Sequence, residues 1–139
     1  MQHSITSLEE YLRVALHTTA RLEPWRGVAA LPAYLAGQYE LFDGTVGDVH
    51  ILFLHSTKEP VASVAKKHER ALQQHWVGPV AFTFPRITPR TRQRMVSDGL
   101  SFVVPGNQVH LPVLGVSLRE RYQTRAQTPD RLRPSAQVL

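Results

Sequence analysis

The run Val49-His50-Ile51-Leu52-Phe53-Leu54-His55 constrains this chain more than any other stretch. It is apolar at nearly every position. A strand built from it has no face to give to water and must be covered on both sides, as strands of parallel sheets are. It is also too short to cross a bilayer. The residues C-terminal to it supply the cover. Residues 60–76 have helical spacing, with Val61, Val64, Ala65, His68, Leu72 and Trp76 on one face, and Gly78-Pro79 stops them. Val80-Ala81-Phe82-Thr83-Phe84 is a second strand. Thr88-Pro89 opens a second helix, with Thr88 as N-cap and Pro89 at the first helical position. Gly99 ends that helix as a left-handed C-cap. A third strand covers 100–104, Pro105-Gly106-Asn107 turns the chain, and 108–111 form a short fourth strand. The β-α-β-α-β-β order over residues 49–111 predicts an α/β fold with a small mixed, mostly parallel sheet, since strands joined through single helices pair in parallel. The fourth strand, after its tight turn, is expected to be antiparallel and at an edge.

One or two helices are expected before this run. Ser7-Leu8-Glu9-Glu10 has the form of a capping box, and Leu8, Tyr11, Leu12, Ala15 and Leu16 come at helical spacing, which predicts a helix over 8–20. Pro32 suits the start of another, with Tyr34, Leu35, Tyr39 and Phe42 inward, although Gly37 weakens it. The alternative is a strand over 39–46 in a hairpin. Residues 117–122 suggest a short helix. Together 1–122 make one α/β domain, and 123–139, polar, basic and proline-containing, reads as a linker or tail.

A chain of 139 residues, 42% hydrophobic and 19% charged, can bury one real core, so disorder is not the expectation. It contains no cysteine, which removes disulfides, thiolate metal sites and cysteine nucleophiles. No secretory leader is recognisable in the first ten residues, and a cytoplasmic, non-membrane protein is expected. The net charge of +5 and an isoelectric point near 10.1 favour an acidic partner such as nucleic acid.

The chemistry-bearing residues form few patterns. The seven histidines, at 3, 17, 50, 55, 68, 75 and 110, include no HExxH pair, and the expectation is ordinary core-edge or surface histidines with no metal and no cofactor. Asp43, Asp48, Lys58 and Glu59 surround the first strand and are the one grouping that a metal-dependent nuclease could use. Against it, the strand itself carries no acid, and loop acids keep turns soluble. No phosphate-loop glycine motif and no nucleophile elbow occur. Arg86, Arg90, Arg92 and Arg94 are denser. Arg90 and Arg94, four apart, share a helix face and could meet phosphates; the plain alternative is a solvated face. Tyr34, Tyr39, Phe42, Phe53, Trp76, Phe82 and Phe84 are assigned to packing.

The segment GPVAFTFPRITPRTRQRMVSDGLSFVVPGNQVHLPVLGVSLRERY, residues 78–122, resembles the end of the N-terminal α/β domain of bacterial regulators that carry a MarR-like winged helix-turn-helix, and LPAYLAGQYELFDG, residues 31–44, is similar to an earlier part of it. The resemblance rests on Thr88-Pro89, Arg92, Arg94, the 102–106 run, Gln108, Leu111-Pro112 and the 118–121 run. It implies a non-enzymatic regulatory domain that senses a ligand or partner, or dimerises, and steers an attached or associated DNA-binding unit. The 133–139 run is similar to the opening of the winged domain, so no recognition helix carries over. The expected contact surface is Arg86, Arg90, Arg92, Arg94 and Gln108, with the 105–108 turn beside it and homodimerisation through the edge strand near Val109. Direct nucleic-acid binding through the basic helix and a degenerate nuclease-like domain are the alternatives.

Overall fold

A computed structural model describes residues 2–119. Seven strands form one sheet in sequence order: β1 (Ala20–Pro24), β2 (Glu40–Val46), β3 (Val49–His55), β4 (Val80–Thr83), β5 (Ser101–Val104), β6 (Gln108–Leu111) and β7 (Val116–Arg119). Helix α1 (Gln2–Leu16) precedes β1, a 3-10 turn and the single-turn α2 (Ala33–Ala36) link β1 to β2, α3 (Ala62–Leu72) links β3 to β4, and α4 (Pro89–Ser97) links β4 to β5.

The β-α-β-α-β-β run is present, and β3–β4 and β4–β5 pair in parallel. The sheet as a whole is not mostly parallel. The β1–β2, β2–β3, β5–β6 and β6–β7 pairings are antiparallel. A parallel pair needs a long crossover and only two helices provide one; every other connection returns the chain beside itself. The β2–β3 connection has two central residues, Gly47 and Asp48, and Gly47 takes φ +60 at the position where a type II′ hairpin turn requires it.

Alternation along β3 divides the core. Ile51 and Phe53 join Leu8, Leu12 and Phe42 on the α1 side; Leu52 and Leu54 join Leu72, Phe82 and Met95 on the side of α3 and α4. All four β3 residues are fully buried, as the near-continuous apolar run requires.

Several local expectations are corrected. Residues 7–10 lie inside α1 and cap nothing, because the helix begins at Gln2 and ends at Leu16; His17, at φ +52, turns the chain out of it. The helix opened by Pro32 stops at Ala36, and Glu40–Val46 is the hairpin strand. Tyr34 is thus 53% exposed instead of inward. Helix α3 is shorter than 60–76, and Val61 and Val64 are exposed at 62% and 42%, with Ala62, Ala65, His68 and Leu72 facing the sheet. β6 is not an edge: β7 covers it, where a helix over 117–122 was expected, and residues 120–122 lie outside the described residues. Val109 is fully buried in the interior β6, which removes dimerisation through it as an edge strand. The tail of 123–139 lies outside the described residues too.

The open edge of β1 is covered by α1. Glu9 accepts a hydrogen bond from the Leu22 backbone N–H at 2.7 Å, and Arg13 donates to the Ala20 carbonyl at 3.1 Å. These outward backbone groups would otherwise be a template for another strand.

Candidate functional site

The arginine segment begins where β4 ends. Phe84 is buried, the chain runs out through Pro85 and Arg86, and Thr88 starts α4 with its hydroxyl accepting from the Thr91 N–H. Thr88 donates through both its N–H, at 2.9 Å, and its hydroxyl, at 2.8 Å, to one oxygen of Glu59. These bonds hold the Glu59 carboxyl below its usual range and tie the β3–α3 loop to the start of α4.

Met95 is the buried residue of α4, so Arg90, Gln93, Arg94 and Ser97 point outward. The five residues expected as one surface therefore divide. Arg86, Arg90 and Arg94 are exposed, and among the described residues none makes an ion pair. Arg92 is half-buried and donates through Nε to the side-chain oxygen of Gln108, which is itself buried and donates to Asn107. Arg92 and Gln108 thus fasten α4 to the 105–108 turn instead of facing a partner. The turn sits beside the helix, as expected. The reason Arg92 departs from its neighbours is its place in the helix: two residues from Arg90 and from Arg94, it lies on a different face.

At the carboxyl ends of β3 and β4 the α3 side of the sheet opens into a cleft of about 710 Å³. Phe82, Phe84 and Tyr39 line its base, Val61 and Val64 one wall, and the 56–60 loop its rim. Its volume is in the range of small-molecule pockets. The loop is held by the Ser56 N–H donating to the Thr83 carbonyl, by Ser56 Oγ accepting from the Lys58 N–H, and by Glu59 on Thr88. Below the cleft, the Tyr39 hydroxyl and His68 Nδ1 are 2.6 Å apart. Burial pushes the Tyr39 phenol up to about 12 and the His68 imidazole down, so the phenol keeps its proton and donates to a neutral ring.

On the α1 side, Glu40, His55 and Thr83 stand in one row across β2, β3 and β4, in direct register. His55 Nδ1 and Thr83 Oγ1 are 2.7 Å apart. Burial lowers the His55 pKa, and the Glu40 carboxylate partly offsets this. Both residues border a second hollow of about 230 Å³ beneath Ser7 and Leu8. Thr83 is fully buried, so its hydroxyl satisfies His55 and is not presented as a nucleophile.

The four residues singled out for nuclease chemistry do not converge. Asp43 lies 3.4 Å from His50 on the hairpin, whereas Glu59 serves Thr88. Among the described residues no three histidines or acids are placed to hold a metal ion. The Glu59–Thr88 tie and the two histidine pairs were not foreseen. Their partners are 28 or 29 residues apart, and only the tertiary fold brings them together, so no local signal announces them.

Comparison with family models, curated proteins and solved structures returns no match for this chain.

Proposed function

We propose that the chain is a non-enzymatic regulatory domain, cytoplasmic, that works beside an attached or associated DNA-binding unit and lends it phosphate contacts through Arg86, Arg90 and Arg94. The observation that carries the reading is the division within the arginine segment: Arg92 is consumed by Gln108, while the other three guanidinium groups are exposed and unpaired among the described residues. Arg90 and Arg94 are held on a short helix with a firm N-cap and Arg86 lies just ahead of it; guanidinium groups suit phosphate oxygens geometrically and carry no base readout in such contacts. The likeness to the α/β domain of MarR-like regulators supports the same reading.

The test is titration of a labelled DNA duplex at two salt concentrations. Three phosphate contacts predict a log–log salt slope of about −2.7, hence a roughly forty-fold loss of affinity between about 50 and 200 mM salt. Arg90→Glu with Arg94→Glu should remove the binding, and a matched substitution at Arg21, exposed on β1, should not. No binding at the lower salt overturns the proposal. The same three exposed arginines favour one second reading, a stand-alone nucleic-acid-binding module; micromolar or tighter binding that persists at about 200 mM salt would select it.

A further inference from the structure

The guanidinium face of α4 has a basic neighbour. Helices α3 and α4 lie side by side on one face of the sheet, in contact, with their starts tied through Glu59 and Thr88. His68 meets Tyr39 and Tyr34, so its flank of α3 looks towards the segment leading into β2. Residues two apart on a helix project about 160° from each other. Arg70, two residues on, therefore projects to the opposite flank, where α4 lies over the next strands. The same relation holds on α4: Arg92 turns to Gln108 on β6, and Arg94 turns towards α3. Lys67 stands outward, two residues from the buried Ala65. Lys67 and Arg70 are exposed and, among the described residues, in no ion pair. The acids nearby do not cancel this charge. Residues 59–98 hold seven lysines and arginines against Glu59, Glu69 and Asp98, a surplus of four in a chain whose whole net charge is +5. Glu69 pairs with Lys66 at 3.1 Å, Glu59 sits at the helix starts, and Asp98 is at the far end of α4. A surplus of this sign selects an anionic partner, and its spread over two helices selects an extended one.

We infer that the contact surface for duplex phosphates extends from α4 onto α3, with Lys67 and Arg70 as two contacts beyond Arg86, Arg90 and Arg94. The inference rests on the phosphate-contact reading and adds to it the extent of the surface. Packed helices have axes about 8–10 Å apart, so the five side chains form a band two helices wide. A duplex carries one phosphate charge per roughly 1.7 Å of its axis and can supply all five with partners.

The test is the salt dependence of duplex binding by the full chain. Five contacts steepen the log–log slope to about −4.5, a roughly five-hundred-fold loss of affinity between about 50 and 200 mM salt, where the three arginines alone give about −2.7. Lys67→Gln with Arg70→Gln should return the slope to about −2.7, and each single variant should shift it by about 0.9. Glutamine has nearly the helix propensity of lysine and arginine, and both positions are exposed, so the variants should fold, which a parent-like far-ultraviolet circular dichroism spectrum verifies. Arg21→Gln, on β1, should leave the slope as it is. A parent slope near −2.7, or a double variant whose slope matches the parent's, overturns the inference and leaves the reading of α4 standing. A slope lowered equally by Arg21→Gln shows attraction by net charge alone and overturns it too. Absence of duplex binding at the lower salt overturns both.

Discussion

On one face of the sheet a single helix, α1, supplies the cover, with Leu8 and Leu12 joining Ile51, Phe53 and Val103 in one cluster; on the other, α3 and α4 join Leu52, Leu54 and Phe102 in a second. Several polar groups of the α1 side are spent internally. Glu9 and Arg13 serve the backbone of β1, and His55 serves Thr83. Those of the α3–α4 side are spent only in part. His68, Glu59, Arg92 and Gln108 have partners, whereas Lys58, Arg86, Arg90 and Arg94 have none among the described residues. The cleft opens on that side, between α3 with the 56–60 loop and the 36–40 segment that leads into β2. On the proposed reading, architecture falls to one side and contact chemistry to the other.

The largest test of that assignment is a pair of core truncations. Leu12→Ala on the α1 side and Leu72→Ala on the α3 side, both fully buried, should each cost about 2–5 kcal/mol in denaturant unfolding. At temperatures where both remain folded, Leu12→Ala should leave duplex binding unchanged, while Leu72→Ala, in the cluster that also seats α4 through Met95, should weaken it. Equal effects on binding would break the comparison. A smaller loss is expected at Gly44, where a Cβ would stand 2.5 Å from the ring of Phe53 on the α1 side. The ring is buried and must shift, so Gly44→Ala should cost about 1–3 kcal/mol, and Phe53→Leu in the same chain should recover part of it. If the double variant is no more stable than the sum of the single losses allows, the clash is not the cause.

How far these two sides are legible in sequence depends on the range over which their signals act. The β3 run, the Thr88-Pro89 start and the Gly99 end of α4 declare themselves within a few residues, and each is found as expected, Gly99 at φ +73. β1 does not: Ala-Arg-Leu-Glu-Pro has weak strand character, and it is a strand because β2 pairs with it and α1 covers its edge. The parallel bias was overestimated because the central helices are conspicuous and the flanking hairpins are not. Spacing placed Arg90 and Arg94 together, but only the neighbouring turn reveals that Arg92 faces Gln108. The cleft has no sequence signature, since it is a gap between elements.

Thr88 joins the rim of the cleft to the arginine helix, so Thr88→Ala sharpens the comparison without touching the core. It removes the N-cap acceptor and one of the two bonds to Glu59. The expected cost is about 1 kcal/mol, with faster amide exchange confined to the first turn of α4. Duplex affinity should fall although no arginine has changed, because guanidinium groups on a frayed helix lose their common geometry. Unchanged exchange at Thr91 would show that Glu59 and Pro89 suffice to hold the turn.

The smallest effect expected is on pH dependence, and it involves both sides. Burial lowers the pKa of His55 on the α1 side and of His68 and His110 on the other, with Arg92 contributing at His110. A histidine whose folded pKa lies below its unfolded value of about 6.5 binds fewer protons folded than unfolded. Its contribution is therefore fully present above about pH 6.5 and is lost as pH falls from there through the folded value. Unfolding free energies measured between pH 8 and 5 should decline below about 6.5. Each of His55→Gln and His68→Gln should flatten part of that decline while lowering stability at pH 8, where the His55–Thr83 and His68–Tyr39 bonds are intact. Both rings are paired with hydroxyl groups, and among the described residues neither has an ion-pair partner. A profile that steepens in either variant would mean that its imidazole is protonated in the folded state, and that the hydroxyl accepts instead of donating.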